Sequence, residues 1–170
     1  AKINLDNFII IHFDEKWVDI VNNETLLINS IIDLQKSLNK KIIITAFNNN
    51  FHYFNNLKKN FKYVNCINNK YDDISNSKII ILDNLEIFIF EKLLNLSKIN
   101  ISCHSGFVAQ VCGANNGKLI DIINEKDFQW YSCWKPLNTF HKFIFKSSLK
   151  NEKKTLKNIF NEICEIILEL

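Results

Sequence analysis

Short apolar runs alternate along this chain with longer segments in which apolar residues recur every three or four positions. The runs are too short for helices and are rich in β-branched residues, so they predict strands. Because they are apolar throughout, both faces of the sheet should be covered. The predicted strands span residues 8–13, 41–46, 63–68, 78–82, 99–102 and 118–123, the third being the weakest.

The segments between these runs predict helices at residues 24–39, 51–60, 85–96, 105–113 and 152–170, whereas residues 124–140 are irregular and aromatic. Strands that alternate with helices favour right-handed crossovers and a parallel sheet. We therefore expect an α/β fold: one three-layer α/β/α Rossmann-like domain over residues 1–170 with a mostly parallel sheet. Three helices have a defined predicted inward face. The residues are Leu27, Ile31, Leu34 and Leu38 in the first, Leu85, Phe88, Ile89, Leu93 and Leu96 in the third, and Leu156, Ile159, Phe160, Ile163, Ile167 and Leu170 in the closing helix.

The turn at residues 103–106, between a predicted strand and the helix that follows it, is the best candidate for a site. The free N–H groups and the positive end of the helix dipole form an anion site. Gly106 lets an anion approach the backbone because it has no Cβ atom. Ser105 can cap the helix or donate its hydroxyl. Ligands of open α/β sheets bind at this carboxyl edge. The alternative is a plain turn in which Gly106 serves packing.

The amino-acid composition and net charge limit the classes of function that the chain can have. The chain has 170 residues, a net charge of +3 and no Arg, so nothing in it requires a nucleic-acid partner, and phosphates would be held by Lys and backbone N–H groups. The five Cys are scattered and none is in C-x-x-C spacing, which favours reduced thiols in a cytoplasmic protein over disulfides or zinc. No run is long enough to span a membrane. The chain has no Met, so we expect a piece of a longer or processed protein.

The run around this turn resembles a known family. It reads Leu85-x-x-Phe88, then Leu93-Leu94-x-x-Ser97, Ile101-Ser102-Cys103-His104-Ser105-Gly106, Gln110-Val111 and Leu119-Ile120-Asp121-Ile122. Over roughly residues 8–123 the chain resembles the carboxyl-terminal half of heptosyltransferase-like glycosyltransferases of family 9, which have the GT-B fold. In that family an Asp-Ser/Thr-Gly turn binds the diphosphate of a nucleotide sugar through its backbone. Ser105 and Gly106 match, whereas His104 stands in place of Asp and Ala109 in place of a helix His.

The resemblance also suggests roles for single residues. It implies that Lys16, in the loop after the first strand, contacts the diphosphate; the alternative is a solvated loop lysine. Trp17 either walls the base or the sugar, or covers the core. His104 either donates to a phosphate or a sugar hydroxyl, or is a structural histidine of the turn. We thus predict a substrate-binding site of Lys16, Trp17, His104, Ser105 and Gly106, with the catalytic residues unknown.

Three further features have a structural and a functional interpretation. Asp121 lies in an apolar strand and is expected to be structural, at the end of the strand or paired with a Lys. The aromatic segment 129–136 favours packing, with a cleft wall as the alternative. The third feature is a group of lysines that lie before the closing helix or in its first turns. These lysines either form a solvated face or contact an anionic membrane surface or an acidic partner. They are Lys146, Lys150, Lys153, Lys154 and Lys157.

The resemblance implies the nucleotide-sugar-binding domain of a glycosyltransferase. Such an enzyme moves a sugar from a nucleoside-diphosphate donor to a glycan or lipid-linked acceptor, and its general base lies in the other half of the fold. It requires no cofactor, and no carboxylate pair here stands at metal-ligand spacing. One alternative is a non-catalytic module that binds a nucleotide or sugar phosphate. The other is a flavodoxin-like or receiver-like signalling domain, which the absence of a matching phospho-acceptor Asp disfavours.

Overall fold

A single parallel sheet forms the middle layer of the protein. The computed structural model describes residues 7–46, 51–68, 76–133, 140–150 and 152–170. The seven strands of these residues lie in the order β3-β4-β2-β1-β5-β6-β7, and all neighbours pair in parallel. In chain order the strands are Phe8–Phe13, Lys41–Ala46, Lys62–Asn65, Ile79–Asp83, Asn100–Ser102, Leu119–Asn124 and His141–Ser147. The helices α1 to α6 are Glu24–Leu38, Phe54–Asn60, Ile87–Leu96, Gly106–Ala114, Phe128–Cys133 and Leu156–Leu168.

Side chains alternate between the two faces of the sheet and fill two separate cores. In β1, Ile9 and Ile11 point to the core beneath α1, α2 and α6, whereas Phe8 and Ile10 point to the core beneath α3 and α4. All six residues of β1 are buried because helices cover both faces. The predicted three-layer α/β/α Rossmann-like fold is therefore confirmed.

Two helices differ from the prediction in the face that they bury. In α3 the inward residues are Phe90, Leu93 and Leu94, whereas Phe88 and Leu96 are 71% and 65% exposed. The predicted face was right at Leu93 and wrong at Phe88 and Leu96, because apolar residues surround this helix and their periodicity does not select one face. Phe90 turns inward to stack on Phe107 of α4, with ring centroids 5.6 Å apart.

The closing helix runs over Leu156–Leu168, shorter at both ends than the sequence pattern suggests. It begins there because the Thr155 side chain accepts a hydrogen bond from the Asn158 amide at 3.3 Å. Five of its six predicted inward residues are buried, but Leu170 follows the helix and is 51% exposed.

Strand β7 was missed by the sequence analysis. Only His141, Ile144 and Lys146 of His141–Ser147 are buried, because β7 lies at the edge of the sheet and pairs with β6 on one side only. Since all strands are parallel, the segments that follow β1, β5, β6 and β7 meet at one edge of the sheet. Among the residues that the structure describes, no helix has the length and hydrophobicity to cross a bilayer.

Candidate functional site

The turn between β5 and α4 has an unusual backbone conformation. His104 has φ 57°, in the left-handed region that residues with a Cβ atom rarely adopt. Two contacts hold it there. Its carbonyl oxygen accepts a 2.7 Å hydrogen bond from Lys16 Nζ, and its Nδ1 lies 2.6 Å from Asp121 Oδ2. The structure thus brings the predicted residues Lys16 and His104 together.

The amino-terminal end of α4 faces open space. The Ser105 amide donates to Ser102 Oγ at 3.3 Å, and the Ala109 amide donates to the Ser105 carbonyl at 2.9 Å. The Ser105 side chain makes no cap, so that predicted role is wrong in this conformation. Within the described chain, the amides of Gly106 and Val108 have no recorded acceptor. Gly106 is exposed, and a Cβ atom built on it would meet no atom within 4 Å.

Lys16 lies in the 3-10 helix Glu15–Asp19, which follows β1 directly. Asp14 caps this helix: its Oδ1 accepts the Lys16 amide at 3.0 Å. Burial raises the pKa of Asp14 to about 6, against the lowering effect of the Lys16 charge and amide. The Lys16 ammonium group has three donors, of which His104 takes one. It is therefore a half-buried positive charge, held beside the amino-terminal end of α4, with donors left for an anion.

Trp17 occupies the core instead of the cleft. Its side chain is completely buried, its Nε1 donates to the His12 carbonyl at 2.9 Å, and its ring packs 4.5 Å from that of Phe13. An indole with no exposed surface cannot contact a ligand in this conformation. The expectation that Trp17 lines the pocket for the base or sugar is corrected in favour of the core role, because its side chain has no exposed surface.

Asp121 forms the centre of a polar cluster beneath the turn. It is fully buried, and its Oδ2 lies 2.6 Å from His104 Nδ1 and 3.3 Å from His141 Nε2. Burial raises its pKa, but the hydrogen bonds from the two histidines outweigh burial and leave the pKa below its usual value. Asp121 is therefore an ionised carboxylate, and its partners are histidines instead of the predicted Lys.

A cleft of about 420 Å³ opens above this cluster, between α4 and α5. Tyr131 lies over His104 with ring centroids 3.5 Å apart, and Trp130 is 64% exposed. The aromatic segment thus contributes a wall; its residues 134–136 lie outside the described residues. The lining residues are His104, Gly106, Ala109, Gln110, Gly113, Trp130, Tyr131 and His141.

Lys146 is a second lysine at this edge of the sheet, although the sequence pattern placed it in the group of surface lysines near the closing helix. Its side chain is 6% exposed and donates to Asp19 Oδ2 at 2.8 Å and to the Lys16 carbonyl at 3.4 Å. It cannot join a lysine surface that touches membranes, because it points inward from β7. Lys154, another member of that group, is paired with Glu162. Lys146 also lines a small cavity of about 120 Å³ with Lys16 and His104.

The described residues contain no group of three or more His, Cys, Asp or Glu side chains arranged to hold a metal ion. The candidate site comprises cationic, backbone and aromatic groups above the Asp121 carboxylate. The donors at Gly106 and Lys16 have the chemistry that suits an anion, and the adjoining cleft suits an uncharged polar group.

No protein-family model and no curated protein sequence matches the chain. Several solved structures are similar in fold, among them two of the same kind of enzyme. The first is UDP-GlcNAc 2-epimerase from Methanocaldococcus jannaschii, with a TM-score of 0.54 and 16% identity over 99% of this chain and 47% of that one. The second is a complex of the enzyme from the same organism with UDP-GlcNAc and UDP, with a TM-score of 0.50 and 15% identity over 96% of this chain and 45% of that one.

The chain spans about half the length of these two structures. The likeness confirms the predicted GT-B-like fold. It does not extend to the heptosyltransferase-like family 9, because both similar structures are epimerases.

Proposed function

We propose that this chain is the nucleotide-sugar-binding domain of a glycosyltransferase, with the diphosphate at the start of α4. The observation that carries the proposal is the pairing of an open backbone end with a fixed cation. A Cβ atom built on Gly106 would meet nothing within 4 Å, and the Lys16 ammonium group lies 2.7 Å from the His104 carbonyl oxygen of the same turn. The epimerase of similar fold that was solved with UDP-GlcNAc and UDP supports this choice of ligand.

The electrostatics suit a diphosphate. A helix amino-terminus carries roughly half a positive charge, and it attracts anions through that charge and its free N–H groups. Lys16 adds a full charge, and Lys146 lies behind it in the same small cavity. Since the chain has no Arg, these groups are its means of holding phosphate oxygens.

The same groups suit the transfer reaction. When the bond between the anomeric carbon and the donor oxygen breaks, the electron pair stays on the diphosphate, whose charge grows. Donors fixed before the reaction stabilise that charge in the transition state. The acceptor hydroxyl forms the new bond to the anomeric carbon and loses its proton to a general base. We assign that base and the acceptor site, for a glycan or lipid-linked acceptor, to a second domain that these residues do not include.

Isothermal titration calorimetry with UDP, UDP-GlcNAc, ADP and ADP-glucose tests the binding step. We expect at least one nucleoside diphosphate to bind, and the Gly106→Ala variant to bind it at least tenfold more weakly, because the added methyl group occupies the approach to the backbone. Unchanged affinity in that variant would remove Gly106 from the site. Failure of all four ligands to bind, together with a response to Mg²⁺ or acyl phosphate, would favour the signalling-domain alternative.

A non-catalytic binding module is the second candidate, and one observation favours it. His104, which replaces the Asp of the family motif, has its Nδ1 engaged with Asp121 beneath the turn. Sugar transfer by a longer chain containing both domains supports the enzyme. Tight donor binding without any product supports the module.

We also propose a cytoplasmic location. All five cysteines carry free thiols, and Cys103 and Cys112 are buried in the two cores. Free thiols are typical of reducing compartments.

A further inference from the structure

His141 is a buried polar residue whose hydrogen bonding is incomplete. It is the first residue of β7, is only 7% exposed, and lines the cleft between α4 and α5. One ring nitrogen, Nε2, lies 3.3 Å from Asp121 Oδ2. The other, Nδ1, is buried and has no hydrogen-bond partner among the described residues. A buried polar atom without a partner is costly, so such an atom beside a cleft points to a ligand.

The Asp121 carboxylate determines which nitrogen carries the proton. An ionised carboxylate only accepts hydrogen bonds, so the nitrogen beside it must be an N–H donor. In the neutral ring of His141 this nitrogen is Nε2, which leaves a lone pair on Nδ1. His104 engages the same carboxylate oxygen through its Nδ1, so it reinforces the ionised state of Asp121. The cluster therefore holds His141 with a hydrogen-bond acceptor available.

We propose that His141 is a specificity-determining residue that accepts a hydrogen bond from a hydroxyl group on the sugar of the bound donor. This inference rests on the proposed function. Gly106 and His141 line the same cleft, so a donor with its diphosphate at Gly106 extends toward His141. Trp130 and Tyr131 supply aromatic surface along this path, which suits the face of a sugar ring. A hydroxyl group of the sugar would donate the hydrogen bond that Nδ1 lacks in this structure.

Long-range ¹H–¹⁵N NMR of the imidazole groups tests this inference in the unaltered protein, which contains four histidines. We expect the His141 signals to show a neutral ring with the proton on Nε2. UDP-GlcNAc or ADP-glucose should shift the Nδ1 resonance by several parts per million, whereas UDP or ADP alone should leave it in place. Binding of a nucleotide sugar without a shift at Nδ1 would overturn the inference and leave the proposed function standing.

The affinities of two variants for the nucleotide sugar and for the nucleoside diphosphate provide a second test of this inference. His141→Phe keeps the ring but removes both nitrogens, so it should weaken binding of the nucleotide sugar at least tenfold and change binding of the nucleoside diphosphate less than twofold. His52→Phe, at an exposed histidine, is the matched control and should change neither. An equal loss for both ligands in His141→Phe indicates a structural role and overturns the inference. Absence of any nucleotide binding by the unaltered protein overturns the proposed function, and the inference with it.

Discussion

Lys16 and His104 are 88 positions apart in the chain, yet the Lys16 ammonium group donates a 2.7 Å hydrogen bond to the His104 carbonyl oxygen. The contact forms because β1 and β5 are parallel neighbours, so the segments after them leave the same edge of the sheet side by side. It also helps to hold His104 in its left-handed conformation. The cation and the backbone anion site are therefore positioned by one shared interaction.

Lys16→Ala is expected to weaken binding of a nucleoside diphosphate by about ten- to a hundredfold. A hydrogen bond to a charged group contributes roughly 1.5–3 kcal/mol, and the variant also removes the support of the His104 carbonyl. Calorimetric titration with UDP and ADP measures the loss. Lys36→Ala is the matched control, since Lys36 is exposed in the last turn of α1, near the opposite edge of the sheet. An equal loss in both variants would indicate a general effect of net charge.

Two glycine substitutions should have opposite effects on stability. A Cβ atom at Gly106 meets open space at the start of α4, so Gly106→Ala should raise the free energy of unfolding by about 0.4–1 kcal/mol. A Cβ atom at Gly117 would lie 3.0 Å from Cys112 Cα, a backbone atom that cannot move aside. Gly117→Ala should therefore lower that free energy by about 1 kcal/mol or more. Urea denaturation of both variants measures the difference.

A destabilised Gly106→Ala protein would contradict the open space seen at the start of α4. It would also make a loss of ligand binding in that variant uninformative about the site. The stability measurement is therefore the control for the binding experiment.

The layered fold could be predicted because its signals are local. The continuous apolar run in β1 requires cover on both faces, and the strand and helix patterns alternate in a way that only a parallel sheet accommodates. The inward face of α3 could not be predicted, since Phe90 is selected by a stacking contact with Phe107 of another helix. β7 was missed because edge strands bury fewer of their residues.

The site could be predicted only in part. The strand-turn-helix pattern located Gly106, and the resemblance located Lys16, because both depend on residues close to strand ends. The apolar pattern around Asp121 indicated a buried charge but could not identify its partners, since His104 and His141 lie 17 and 20 positions away on either side. A buried carboxylate in an apolar strand, with histidines in the flanking segments, is the signal that could have found this cluster.

Lys146→Ala should lower the free energy of unfolding by about 1–3 kcal/mol, because it removes the packing of a stem that is only 6% exposed, whereas its ion-pair partner Asp19 is 54% exposed and can be solvated by water. Lys146→Met keeps most of that packing and should cost less. Lys157→Ala is the control: Lys157 is exposed and belongs to the same group of lysines in the sequence, so its loss should change stability by less than about 0.5 kcal/mol. Equal small effects in urea denaturation at positions 146 and 157 would contradict the inward position of Lys146.

The free energy of unfolding should decrease as the pH is lowered, because of His12. This side chain is 1% exposed and lies 3.0 Å from Thr45 Oγ1 through its Nδ1, and burial lowers its pKa to about 4. In the unfolded chain a histidine has a pKa of about 6.5, so between these values the unfolded state binds more protons. The contribution of His12 is therefore complete above pH 6.5 and is lost as the pH falls toward 4, by about 3 kcal/mol at most.

Urea denaturation at pH 7.0 and pH 4.5, for the unaltered protein and for His12→Gln, isolates this contribution. Asp14 acts in the opposite direction, since burial raises its pKa to about 6 and its penalty disappears as the pH falls. Because Asp14 is present in both proteins, its effect cancels in the comparison. We expect the unaltered protein to lose more stability than His12→Gln between the two pH values. The same loss in both proteins would show that His12 is not the group that titrates.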